Sequence, residues 1–351
     1  MNLGDLSSQA GEWLRGQGPM SDVVISSRVR LARNLAGFPF LIRASETQRT
    51  EVIDLVKGAI DHTAAGKRLM YMPVNDISEL DRQLLVERHL ISRQLAEGEG
   101  SRGLALSREE TEAVMINEED HLRVQVLRSG LQLEECWRRI SELDDQLGRE
   151  LEFAFDAKLG YLTACPTNVG TGMRVSVMMH LPALRMTEEL QKVFRASKEM
   201  HLAIRGLFGE GTEATGDFFQ ISNQTTLGRN EDDLLAQFTN EVIPQIADYE
   251  HRAREALADQ RSIGLDDKVH RALGVLQSAR VITSEEALFL LSHVRLGVNM
   301  KRIRNVPIQT VNELFLLTQP AHLQKLQGRL LDDESRRIAR ANYIRSRLSQ
   351  N

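Results

Sequence analysis

Gly103-Leu-Ala-Leu106, Ala113-Val-Met-Ile116 and Leu122-Arg-Val-Gln-Val-Leu127 are three short apolar runs parted by polar turns. Runs of that length, separated by hairpin-sized gaps, read as neighbouring antiparallel strands. The same reading extends upstream to Val23-Val-Ile25 and the Ser26-Ser-Arg-Val-Arg-Leu-Ala-Arg33 that follows. Downstream it takes in Gly160-Tyr-Leu-Thr-Ala-Cys165, Met173-Arg-Val-Ser-Val-Met-Met179, Leu202-Ala-Ile204 and Phe218-Phe-Gln-Ile221. Helical periodicity lies between them, over 131–151 (Leu133, Trp137, Ile140, Leu143, Leu147) and 183–200. The expected class is α+β, an antiparallel sheet with helices on one face.

The flanks are helical. Ser45 with Gln48 forms a capping-box pattern for a helix to about Ile60. Ile77, Leu80, Leu84, Leu85 and His89 repeat at helical spacing within 76–95, so the first hundred residues read as small helices around one strand. From Asn230 a long helix is predicted to about Ser262, then helices near 266–279, 284–296, 307–318 and 332–348, with breaks at Gly264 and at Arg302–Pro307. Two domains are expected: a sheet-containing domain over 1–255, whose first 95 residues or so form a short helical part, and an all-helical C-terminal domain over 256–351.

Composition narrows the function. The 351 residues are 42% hydrophobic but only 5% aromatic, with net charge -5 and pI near 6.0. A base-stacking or uniformly basic nucleic-acid binder is disfavoured. Of the 44 basic residues 36 are arginine; a planar fork suits phosphate and carboxylate, though a GC-rich genome gives the same bias. The two cysteines, Cys136 and Cys165, make no disulfide framework. Met1–Gln17 carries Asp5 and Glu12 and lacks the apolar core of a signal peptide, and no run approaches a membrane span. A cytoplasmic protein without membrane contact is expected.

Five polar segments sit at strand ends or in loops. Strand alternation puts Arg28 and Arg30 on one face, where they can grip adjacent phosphates or simply salt-bridge a surface strand. Asn117-Glu-Glu-Asp-His-Leu-Arg123 crowds three carboxylates, either a solvated turn or a held base. Cys165-Pro-Thr-Asn-Val-Gly-Thr-Gly-Met-Arg174 imposes a specific loop around a thiol, which is reactive beside cations and inert if buried. Arg205-Gly-Leu-Phe-Gly-Glu210 opens a glycine-rich stretch to Gly216, and Gln220–Gly228 is polar and uninformative alone. There is no G-x-x-x-x-G-K-[ST] loop, no protein-kinase catalytic signature, no G-x-S-x-G and no metal-spaced His/Cys cluster.

In this order, the segments resemble the phosphagen (guanidino) kinase family over roughly 21–250. Ser26–Asn34, Val86-Glu-Arg-His-Leu-Ile-Ser92, Ser141–Asp145 and Val177–Leu184 resemble more closely its bacterial protein-arginine kinase branch, as does the helical extension. The resemblance implies transfer of the γ-phosphoryl of ATP, with Mg²⁺, to a guanidinium nitrogen of arginine in proteins. Glu119 and Glu210 match the carboxylates that orient and deprotonate the guanidinium, and Cys165 the thiol that contacts it. Nucleotide contacts are implied for Ser26, Ser27, Arg28, Val29, Arg30, His89 and Arg123, and for Arg174, Val175, Ser176, Val177 and Met178. They are also implied for Arg205, Gly206, Leu207, Phe208, Gly209 and Glu210.

Met178 stands where small-substrate kinases carry a histidine. No dedicated metal cage is implied, the metal being held by phosphates and water. The branch binds phosphoarginine allosterically through R-D-x-x-R-A. Here Arg336-Arg337-Ile-Ala-Arg340-Ala341 puts arginine in place of the aspartate, so the site is doubtful and a basic helix face is the other reading. Partners implied are arginine-bearing protein substrates, an activator protein, a Clp protease, a heat-shock repressor to be inactivated, and a second copy joined through the C-terminal domain. A kinase for free arginine and a non-catalytic adaptor stay open as alternatives.

Overall fold

The structure is a computed structural model and describes residues 10–207 and 215–349. Its centre is an eight-stranded sheet in which every neighbouring pair is antiparallel. The strands are β1 (Val24–Arg33), β2 (Leu69–Pro73), β3 (Gly103–Ser107), β4 (Glu112–Ile116) and β5 (Leu122–Ser129). A two-stranded ribbon, β6 (Phe155–Asp156) and β7 (Gly160–Tyr161), stands apart. β8 (Met173–His180), β9 (Leu202–Gly206) and β10 (Phe218–Asn223) complete the sheet, in the order β2-β3-β4-β5-β1-β8-β10-β9.

Side chains alternate across this sheet. Val29, Leu31, Val124, Val126, Val175 and Val177 point to one face and pack with Cys136, Ile140, Leu143 and Leu147 of the helix Leu133–Glu150. The same apolar cluster runs on through the C-terminal helices to Leu348. The other face is covered at β3 and β4, where Leu104, Leu106, Ala113 and Met115 meet Leu84 and Leu85 of the helix Glu79–Glu87 and Ala321 from the C-terminal part, and Trp13 borders it near Leu127 and Met178. Over β5, β1, β8, β10 and β9 that face opens into a cavity.

The expected α+β class and helical C-terminal part are found. Several elements differ. Leu69–Pro73 is a strand that the helical reading of the first hundred residues passes over; its Pro73 is tolerated because β2 is an edge. The periodicity over 76–95 is two helices, Glu79–Glu87 and Arg93–Glu97, broken at His89 with φ +58°. Only Gly160–Tyr161 of the run 160–165 is strand, and it pairs with β6 rather than the main sheet. The helix expected over 183–200 is interrupted at Glu188, φ +64°. Gly264 lies inside the helix Ser262–Ser278, the break falling at Arg261. The helix Pro320–Gln327 was not expected. The capping box at Ser45 is present and starts the helix Glu46–His62.

Candidate active site

Register builds the site. Arg28 lies opposite Leu127 and Ser176, and Arg30 opposite Gln125 and Arg174. Arg123 lies opposite Ala32, and Arg205 opposite Gln220. Strand alternation therefore brings the five arginines, from four different strands, to one cavity of about 780 Å³. The rest of its wall includes Val86–Gln94, the two loops carrying Glu119 and Cys165, and Gln220, Gln224 and Thr225 of the polar segment 220–228.

Such a cluster is electrostatically costly. Burial, and then Arg123, Arg174 and Arg205, pull the Arg28 guanidinium down to about 9. Burial and the neighbouring arginines, Arg28 foremost, hold Arg30 well below the usual guanidinium range, and its Nε has no hydrogen-bond partner. Like charges held together out of water lose stability unless an anion is shared among them. Arg28 donates to Ser176 Oγ (3.3 Å) and Gln220 Oε1 (2.5 Å), and Arg123 donates to both oxygens of Glu118 (2.8 and 2.9 Å). Burial pushes Glu118 up, but Arg123, Ser92 and the Glu119 amide outweigh it and leave its carboxyl below the usual range. The cavity is shaped for a polyanion.

The acidic turn is tightly built. Asn117 takes φ +59° and its amide donates to His121 O, closing the turn. Asp120 accepts from Asn34 Nδ2 and from the Ala164 amide, each at 2.6 Å, so it ties the turn to the cysteine loop. His121 is buried, accepting from the Leu35 amide at Nδ1 and facing Pro39 O with Nε2, and is structural. Glu118 is occupied by Arg123. Glu119 is left lining the cavity, its carboxyl raised by burial and by Asp120 and Glu118. Cys165 lines the same cavity, half-buried, with Sγ 3.0 Å from Thr167 Oγ1. Gly172, φ +65°, is where this loop meets β1: a Cβ there would lie 2.6 Å from Ala32 O.

His89 also lines the cavity. Burial, then Arg28, lowers its pKa to about 3, so the ring is neutral. Trp13, a residue to which sequence reasoning gave no role, packs edge-on against it, ring centres 4.5 Å apart. Gln125 holds the segment by donating to His89 O and Leu90 O.

The predicted residues do not all converge. Ser27, Val29, Val175 and Val177 face the core, because alternation turns every second residue away. Ser26, Ser176 and Met178 border a separate space of about 10 Å³ beside His89 and Trp13, room for about one water. Leu207 lines the cavity. Phe208, Gly209 and Glu210 lie outside the described residues.

Of the three C-terminal arginines only Arg340 is buried. Arg340 is buried and donates to Thr318 O and Ile282 O; Arg336 donates to Leu331 O; Arg337 pairs with Asp333 at 2.6 Å. A C-terminal groove of about 410 Å³ is lined by none of them.

Residues 51–253 match the ATP:guanido phosphotransferase C-terminal catalytic domain, and residues 262–351 the Protein-arginine kinase McsB C-terminal domain. Fold and cavity are thus those of a guanidino phosphotransferase. Among solved structures, a duplicated taurocyamine kinase from Schistosoma mansoni with bound transition-state-analogue components superposes with TM-score 0.60 at 30% identity. The match covers 71% of this chain and 36% of that one. A lombricine kinase superposes with TM-score 0.59 at 25% identity, covering 70% and 72%.

Full-length matches go further. The protein-arginine kinase of Symbiobacterium thermophilum is 46% identical over 99% of this chain and 100% of its own, and that of Halothermothrix orenii 47% over 99% and 100%. The chain belongs to the protein-arginine kinases.

Proposed function

We propose that this cavity transfers the γ-phosphoryl of ATP to a guanidinium nitrogen of arginine side chains in proteins. The observation that carries the reading is the convergence of five arginines with Glu119 and Cys165 around one space. Arg28, Arg30, Arg123, Arg174 and Arg205 grip the phosphates and spread the charge of the transferring group. His89 flanks the nucleotide as a neutral ring. A protonated guanidinium is no nucleophile, so Glu119 accepts its proton while fixing its plane, with Glu210 as the second carboxylate. Cys165 contacts the far edge of the guanidinium. Mg²⁺ travels with the nucleotide: Glu118 is taken by Arg123, so phosphate oxygens and water would supply most of its ligands. When bound it neutralises phosphate charge.

The kinase works in the cytoplasm, marks proteins for a Clp protease, inactivates a heat-shock repressor and answers to an activator protein. It pairs as a homodimer through residues 256–351, distinct in role from 1–255. Among the described residues no helix is long and apolar enough to cross a membrane. Arg337 stands where the branch's motif has an aspartate, so phosphoarginine sensing through Arg336, Arg337 and Arg340 is doubtful, though Arg336 and Arg340 could still take a phosphate.

The test is incubation with ATP, Mg²⁺ and casein, followed by mass spectrometry of acid-labile phosphate. Phosphate on arginine supports the reading; phosphate confined to serine and threonine, or none, defeats it.

A further inference from the structure

His89 lines the cavity, whereas Glu87, Arg88 and His322 do not. Those three form one buried chain of hydrogen bonds. Arg88 is fully buried and donates through Nε and Nη2 to the two carboxylate oxygens of Glu110, each at 2.7 Å. Its Nη1 stands 3.1 Å from Nε2 of His322, which is also fully buried. A guanidinium only donates, so Nε2 accepts and the ring proton sits on Nδ1. Nδ1 therefore donates to Glu87 Oε2 at 2.6 Å. Burial, against the pull of Glu87, holds the His322 pKa below the usual imidazole range, so the ring is neutral. Glu87 also accepts from the amides of Ala321 and His322, at 2.8 and 3.1 Å, where the helix Pro320–Gln327 begins. The residue that follows Arg88 is His89, whose amide donates to Val86 O at 2.9 Å with φ +58°, so its place follows that of the helix end. Buried ion pairs add little net stability over apolar side chains of the same size; their better-attested use is to fix one arrangement.

Resting on the role of His89 proposed above, we infer that His322, from the C-terminal part, is a positioning residue for nucleotide binding: through Glu87 and Arg88 it fixes the helix end that presents His89 to the nucleotide. It touches no reacting atom. It acts on the wall of the cavity that holds the nucleotide, not on the acidic turn of Glu119.

The test measures KM for ATP and kcat on casein with the full-length kinase and its His322→Leu, His322→Gln and His89→Ala variants. His322→Leu fills the space but breaks the chain. KM for ATP should rise about five-fold or more while kcat changes little, the mark of binding lost equally from ground and transition states. Glutamine offers a donor and an acceptor, so His322→Gln should restore most of the wild-type KM. In a His89→Ala background His322→Leu should add nothing further, since it acts through that ring. A KM unmoved by His322→Leu where His89→Ala raises it, or leucine and glutamine variants equally impaired, overturns the positioning role alone. A KM unmoved by His89→Ala overturns the nucleotide-side role of His89 and the inference with it. Should the leucine variant fail to fold, Glu87→Gln carries the same prediction on KM, and an unchanged value there overturns the positioning role.

Discussion

At the scale of single residues, the account turns on charge held out of water. Glu119 faces the cavity with a carboxyl raised by burial and by two acidic neighbours. A base with a raised pKa loses its active form as pH falls through that value, so the acid limb of kcat/KM should lie above the ordinary glutamate range. A pH–rate profile on casein checks this. Glu119→Gln should reduce phosphoarginine formation by about 100-fold or more, with ADP affinity nearly unchanged by calorimetry. Arg28 gives the complementary prediction. A bound anion offsets the burial, and with it the arginine repulsion, that lower it to about 9, so ADP should raise the melting temperature. Arg28→Ala should weaken ADP binding by about ten-fold, one charge-assisted contact. An unchanged dissociation constant would remove Arg28 from the phosphate grip.

At the scale of elements, most of the sheet was legible because its strands carry period-two apolar runs between turns. The arginine face was legible for the same reason, since alternation over Ser26–Arg30 fixes two of its members. What escaped is where local pattern yields to tertiary bonding. Thr163-Ala-Cys165 looks like strand, yet the Ala164 amide is given to Asp120 and Thr163 Oγ1 to Cys165 O, leaving no ladder to join. His89 fits a helical stripe, but it ends the helix in a left-handed conformation that sequence spacing does not reveal. Trp13 could not be assigned because its partner, His89, is distant in sequence. Gly172 is the element-scale test. Gly172→Ala adds a Cβ against Ala32 O at positive φ and should cost about 1–3 kcal/mol, read from urea unfolding, and lower activity by shifting Cys165.

At the scale of the whole molecule, the C-terminal helices share one apolar core with the sheet that carries the cavity. Fully buried Arg295 donates to Ser21 O, Asp22 O, Asn312 Oδ1 and His180 Nδ1. His180 Nε2 meets Ser292 Oγ at 2.9 Å, and Ser292 donates to Asp217 at the start of β10. Glu87 accepts from the Ala321 and His322 amides, tying the helix that precedes His89 to the C-terminal part. One continuous apolar cluster accompanies these bonds. Urea unfolding should therefore give a single transition, coincident by circular dichroism and tryptophan fluorescence. Arg295→Met leaves several buried acceptors unpaired and should cost about 3 kcal/mol or more. Two separate transitions would show that the helical part folds on its own.

The most direct measurement is a crystal structure of the full chain with ADP, Mg²⁺, nitrate and an arginine peptide, the flat anion standing for the phosphoryl in flight. The account predicts nitrate between the ADP β-phosphate and the guanidinium, the five arginines on phosphate and nitrate oxygens, and Glu119 bonded to the guanidinium. A guanidinium bound away from Glu119, or phosphates held outside the arginine face, would contradict it.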